Sequence, residues 1–187
     1  MQERIFKIIA ESSEPLGLVT IVNAKGSTPR QAGTRMLVKQ DGTIYGTIGG
    51  GSVEAHAIET AKKVIAQKAS THIDLGLNNR DLLASGMVCG GAVGLWVEYI
   101  SDSKPYAKIA NKLKAGKPSL LLLDLNKEKR VVGVLDENRE LIYGNLATVD
   151  QEISRKAIQH GKSIYSDKTG LFYDPVLPSE KLLILGG

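Results

Sequence analysis

The chain is 187 residues long, 42% hydrophobic and 24% charged, a balance that belongs to a globular protein able to bury a sizeable core in one large domain or two small ones. Its net charge of +4 is scattered, with no basic block interleaved with aromatics, which speaks against a nucleic-acid surface and suits an anionic small ligand. One cysteine excludes an internal disulfide framework; Glu3, Arg4 and Lys7 rule out a signal peptide, and with no apolar run of membrane-spanning length the sequence reads as cytoplasmic, with no membrane partner.

Residues 2–12 read as an amphipathic helix with Ile5, Phe6, Ile8 and Ile9 inward, ended by Pro15. Residues 16–22 are a nearly unbroken apolar run, as in a buried strand. An irregular loop, Gly26-Ser27-Thr28-Pro29-Arg30-Gln31-Ala32-Gly33, leads to a second strand at 35–40. Asp41-Gly42 signals a hairpin turn, and 43–46 is the third strand. Apolar residues at Val53, Ala57, Ile58, Ala61, Val64 and Ile65 then define a helix to about residue 68, followed by a short strand at 71–75. Residues 76–91 are polar and glycine-containing and hold the cysteine. A strand at 92–100, a helix at 104–115, strands at 120–125, 130–135 and 141–144, a helix at 150–160 and strands at 163–165 and 171–173 complete the pattern.

The second half repeats the first. Ile44-Tyr45-Gly46 recurs as Ile142-Tyr143-Gly144, and Gly94-Leu95-Trp96-Val97-Glu98 is echoed by Gly170-Leu171-Phe172-Tyr173-Asp174. Each half opens with a helix, a proline and an apolar strand, Pro15 answering Pro118. Such self-similarity fixes an architecture: α/β, with two β-rich repeats and flanking helices, the first over 1–102 and the second over 103–180. The copies differ in length. Pro15 to Gly46 is 31 positions against 26 from Pro118 to Gly144, and Gly46 to Gly94 is 48 against 26 from Gly144 to Gly170. The excess falls on the 26–33 loop, the glycine loop and the 76–91 segment. Loops on a rigid scaffold carry binding and catalysis, so the first copy reads as functional and the second as structural.

Three consecutive glycines, Gly49, Gly50 and Gly51, leave backbone amides uncovered by side chains, and a helix follows at once. Ser52 suits its N-cap and Glu54 its first turn. Converging amides and the positive end of the helix dipole make an anion site; a tight strand-to-helix turn without a ligand explains the glycines equally, and Glu54 already offsets part of the dipole. Arg30, with Ser27 and Thr28 beside it, has the planar fork that matches phosphate or carboxylate, or is a surface arginine among turn residues. Arg35 is the weaker candidate, since a residue opening a strand can simply face solvent. Cys89, followed by Gly90 and Gly91, sits in a setting that can lower a thiol pKa and can serve as nucleophile, sulfur carrier or soft ligand; a lone cysteine is also a common small core residue. His56, His72 and His160 form no ligand spacing with Cys89, and there is no Cys-x-x-Cys pair, Walker lysine or Gly-x-Ser-x-Gly elbow. The final Lys181-Leu182-Leu183-Ile184-Leu185-Gly186-Gly187 reads as the first strand of a truncated Rossmann-like domain over 181–187. Its orphan apolar strand seeks a partner, which points to a homodimer.

Gly26-Ser27-Thr28-Pro29-Arg30, Gly33, Met36-Leu37-Val38, the run Gly46-Thr47-Ile48-Gly49-Gly50-Gly51 with Val53 and Glu54, and Cys89-Gly90-Gly91 with Glu98 together resemble the XdhC/CoxI family, the xanthine dehydrogenase accessory proteins. The resemblance implies a maturation chaperone that binds the molybdenum cofactor (molybdopterin), supports its sulfuration with a cysteine desulfurase as sulfur donor, and delivers it to the apoenzyme of a molybdenum hydroxylase. Ser27, Thr28, Arg30, Gly49, Gly50, Gly51, Ser52, Cys89 and Gly90 would then hold the cofactor, Cys89 as a molybdenum contact or sulfur relay. It also implies a C-terminal Rossmann-like domain, of which this chain holds only the first strand. Two other readings stand beside it: an NAD(P)- or nucleotide-dependent oxidoreductase whose dinucleotide domain is missing here, and a docking module that binds no ligand.

Overall fold

A computed structural model of the chain describes residues 2–26, 28, 30–75, 91–125, 131–146 and 149–179. The elements run α1 (Gln2–Glu11), β1 (Leu16–Lys25), β2 (Arg35–Lys39), β3 (Ile44–Gly46), α2 (Gly51–Gln67), β4 (Thr71–Leu75), β5 (Ala92–Tyr99), α3 (Lys104–Lys114), β6 (Ser119–Asp124), β7 (Val131–Leu135), β8 (Leu141–Gly144), α4 (Gln151–His160), β9 (Ile164–Ser166) and β10 (Leu171–Val176). Two five-stranded sheets form, ordered β3-β2-β1-β5-β4 and β8-β7-β6-β10-β9. Every pairing in both is antiparallel. The second order is the first with each strand replaced by its counterpart, so the two β-rich repeats with flanking helices read from the sequence are the architecture.

Each sheet is covered on both faces, which is why β1 and β6 read as continuous apolar runs rather than alternating ones. On the outer face of the first sheet, Val19, Ile21, Met36, Val38, Leu95 and Val97 pack under Ala57, Ala61 and Val64 of α2. The helix comes close because β1 has no side chain at Gly17, where a Cβ would stand 3.1 Å from that of Ala61. On the outer face of the second sheet, Leu120, Leu122, Leu135 and Tyr173 meet Ala157 of α4. The inner faces share one central core, in which α1 and α3 pack with Leu16, Leu18, Leu37 and Trp96 of one sheet and Leu121, Leu123, Val134 and Phe172 of the other. The α4 helix is capped at its start by Asp150, whose side chain accepts from the amides of Glu152 and Ile153, and closed by Gly161 in the left-handed region.

The expected strand at 182–185, and with it the Rossmann-like segment, lies outside the described residues. Among the described residues, no helix is long and apolar enough to cross a membrane.

Candidate functional site

The register fixes where the loops emerge. Lys25 at the end of β1 lies opposite Ala92 at the start of β5. Met36 in β2 faces Gly46 at the end of β3, and Leu75 at the end of β4 faces Val93. Neighbouring strands run in opposite directions, so the 26–34 loop, the glycine loop and both anchors of the 76–91 segment belong to one end of the first sheet. These are the three segments by which the first copy exceeds the second. Within them Ser27, Cys89 and Gly90 lie outside the described residues.

In the first loop, the Thr28 hydroxyl donates to the Arg30 carbonyl at 3.1 Å, a local turn bond. The Arg30 side chain is exposed. Gly33 has φ +86°, and a Cβ there would run into Ser163 and stand 2.9 Å from Asp174 Oδ1. This glycine is therefore demanded by close approach to the second sheet. Arg35 differs from the sequence expectation. It is buried, not solvent-facing, and its guanidinium bonds Asp174 of β10 across the interior. It also donates to the Gly33 carbonyl at 3.1 Å and to Gln2 Oε1 at 3.2 Å. The solvent reading fails because the partner that receives this charge stands 139 positions away.

The glycine loop is organised by Glu54. One carboxylate oxygen accepts from the Thr47 hydroxyl, from the Ile48 amide at 3.0 Å and from the Gly50 amide at 3.2 Å, while the Gly49 amide donates to Thr47 Oγ1 at 3.1 Å. The carboxylate thus serves as an internal anion inside the nest of amides. Gly49, Gly50 and Gly51 have φ of 128°, 78° and 65°, a run that residues with a Cβ rarely adopt. Added Cβ atoms at Gly50 and Gly51 would meet nothing within 4 Å, so open space stands over them. The helix starts one residue before Ser52, with Gly50 as N-cap and no side-chain cap bond. Ser52 is not the cap; its hydroxyl oxygen is buried without a hydrogen-bond partner among the described residues. Its displacement follows from Glu54, which draws the Gly50 amide back and lets Gly51 enter the helix. The first helical amides, those of Gly51 and Ser52, are left without a side-chain cap.

Among the described residues, no cluster of three or more His, Cys, Asp or Glu could hold a metal ion. His160 is exposed at the end of α4.

Residues 9–76 match the model of the XdhC and CoxI family. A Bacillus subtilis (strain 168) protein named as a probable xanthine dehydrogenase subunit is 27% identical over 187 residues, covering 95% of this chain and 54% of the relative. The molybdenum cofactor insertion chaperone PaoD of Escherichia coli (strain K12) is 30% identical over 109 residues, covering 57% of this chain and 33% of that protein. A crystal structure of a xanthine dehydrogenase from Bacillus halodurans superposes with a TM-score of 0.74 at 20% identity, over 96% of this chain and 53% of the other, a likeness of fold. The chain spans about half the length of the Bacillus subtilis relative and a third of PaoD.

Proposed function

We propose that the chain is an accessory protein of molybdenum-hydroxylase maturation that binds the molybdenum cofactor, supports its sulfuration and hands it to an apoenzyme such as xanthine dehydrogenase. The observation that carries the reading is the gathering of all three added loops at one end of the first sheet. The likeness to a molybdenum cofactor insertion chaperone supplies the ligand.

The groups at this end of the sheet fit an anionic, phosphorylated cofactor. Glu54 holds the glycine loop in a fixed curve and turns the open side of Gly50 and Gly51 outward. A phosphate is received on the uncapped amides of Gly51 and Ser52, with Gly49 forming the rim and Arg30, Ser27 and Thr28 closing from the neighbouring loop. Cys89, followed by Gly90 in the sequence, would hold the molybdenum end as a thiolate ligand or would carry sulfur from a cysteine desulfurase towards it. When bound, the cofactor brings a metal that accepts sulfur; the protein's own residues hold and orient it. Binding and transfer belong to a cytoplasmic homodimer, the expected form of the protein.

The test is retention. Protein purified from cells that make the cofactor carries molybdenum and pterin in equal amounts, and Arg30→Ala lowers both by roughly tenfold, the scale of a lost charged hydrogen bond. Unchanged content in Arg30→Ala removes that residue from the site.

A further inference from the structure

At the loop-bearing end the inner faces of the two sheets part around a cleft of about 480 Å³, lined by Val22, Asn23, His72, Asp74, Leu125 and Tyr165. Four of the six are counterparts from the two copies. His72 lies opposite Trp96, and Tyr165 opposite Phe172. Thr20 lies opposite Trp96 and Leu123 opposite Phe172, which makes Val22 and Leu125 equivalent as well. The cleft therefore sits where the two repeats face each other, a common home for small ligands, and its volume suits one.

Three features of the first copy shape it. The β1–β5 register slips between Ile21 and Asn23, whereas β6–β10 runs without a slip. This bulge brings both Val22 and Asn23 to the cleft, the re-aiming that bulges perform beside functional sites. Gly94 lies beneath three of the lining side chains. A Cβ there would stand 3.1 Å from Asp74 Oδ1, 3.2 Å from Asn23 Cβ and 3.4 Å from His72 Nε2, and its φ is not one that favours glycine. Space alone, then, accounts for this glycine. Finally, the His72 ring rests on that of Trp96, centroids 6.4 Å apart, and its Nδ1 lies 3.6 Å from Asp74 Oδ2. That is too long for a hydrogen bond but close enough for both to meet one ligand. Across the cleft Tyr165 is 44% exposed, a large aromatic surface left to solvent.

The geometry points to a binding site for a planar 2-amino-4-oxopyrimidine heterocycle, stacked between His72 and Tyr165 with its polar edge on Asp74 and Asn23. A ring N–H and the adjacent exocyclic amine present two parallel donors, which match the two oxygens of a carboxylate. The Asn23 amide can donate to the ring carbonyl. Aromatic walls favour a flat ring over a sugar or an aliphatic acid. Pterin and guanine share this edge; the choice of a pterin rests on the cofactor reading above.

The test titrates neopterin and guanosine into the full 187-residue chain by calorimetry, alongside Asp74→Asn and Gly94→Ala. The Asp74 side chain is 77% exposed, so its amide variant folds, and circular dichroism verifies both variants. Neopterin binds the unmodified protein and loses roughly tenfold or more in affinity in each variant, as one misdirected charged hydrogen bond or a Cβ crowding those lining side chains requires. The single tryptophan, Trp96, passes excitation to a bound oxidised pterin, which absorbs where tryptophan emits; guanosine cannot accept it. Tighter binding of guanosine than of neopterin would reassign the site to a guanine nucleotide. Absence of binding, or equal affinity in all three proteins, overturns the inference. Molybdenum content separates the two readings. If Asp74→Asn retains cofactor as well as the unmodified protein does, the cleft assignment fails and the accessory role stands. A protein without molybdenum that binds neopterin through Asp74 keeps the cleft and loses the accessory role.

Discussion

Arg35 of β2 and Asp174 of β10 form an ion pair between the two sheets, with each side chain 1% exposed. Ser163 donates to the other carboxylate oxygen at 2.7 Å, and the guanidinium lies 5.2 Å from the centre of the Phe6 ring. The two repeats are thereby joined by a charge contact inside an apolar core. Removing one partner strands the other, at a cost of about 3–5 kcal/mol. Asp174→Asn is expected to lose stability on that scale by urea denaturation. Arg35→Met should behave differently with pH. Burial pushes the Asp174 carboxyl up, while the Arg35 guanidinium and the Ser163 hydroxyl pull it down; without Arg35, burial acts with less opposition. A raised acid binds its proton more readily when folded, so Arg35→Met gains stability as pH falls from neutral towards the unfolded carboxyl value of about 3.9. A variant equally stable at both ends of that range would contradict this placement of the charge.

Glu54 is expected to be the organiser of the glycine loop. Glu54→Ala removes the acceptor of the Ile48 and Gly50 amides and costs about 2 kcal/mol, the range for bonds to a charged group. Hydrogen exchange at those two amides accelerates relative to the amides of α2. Unaltered exchange would mean that the loop holds its curve without the carboxylate.

In the turn between β7 and β8, Glu137 takes Lys112 at 2.6 Å and Lys117 at 2.7 Å. The Lys112 contact, then that of Lys117, holds its carboxyl down at about 2. An acid whose folded pKa is depressed contributes above its unfolded pKa, about 4.3, and loses that contribution as pH falls towards the folded value. The stability gap between the native protein and Glu137→Gln is therefore constant above about pH 5.5 and closes on acidification to about pH 2. A gap that persists at the acid end would count against the clamp.

Gly33→Ala combines a positive φ with contact against Ser163 and Asp174, and destabilises by about 1–3 kcal/mol. Thermal denaturation measures the loss. An unchanged midpoint would mean that the second sheet can retreat from the loop.

The fold is legible because its signals are local. Apolar periodicity locates each described helix and strand within a few residues, and the paired Ile-Tyr-Gly endings mark the duplication that the two strand orders display. What escapes the sequence depends on distant partners. Arg35 looks like a strand-opening surface residue until Asp174 is brought to it. Ser52 looks like a cap because nothing in the chain announces that Glu54 reaches back to Gly50. Asn23 enters the cleft only through a register slip. His72 and Asp74, two apart on β4, do carry a signal, since alternate residues of a strand share a face; it has meaning only once the second sheet supplies Tyr165.

Cofactor retention is the deciding measurement. The 187-residue chain is purified from cells that synthesise molybdenum cofactor, with molybdenum read by mass spectrometry and pterin by fluorescence after oxidation. Both are expected, in equal amounts, with molybdenum or its terminal sulfur lost in Cys89→Ser and both molybdenum and pterin reduced in Arg30→Ala. A well-folded chain that carries neither molybdenum nor pterin would contradict the accessory role.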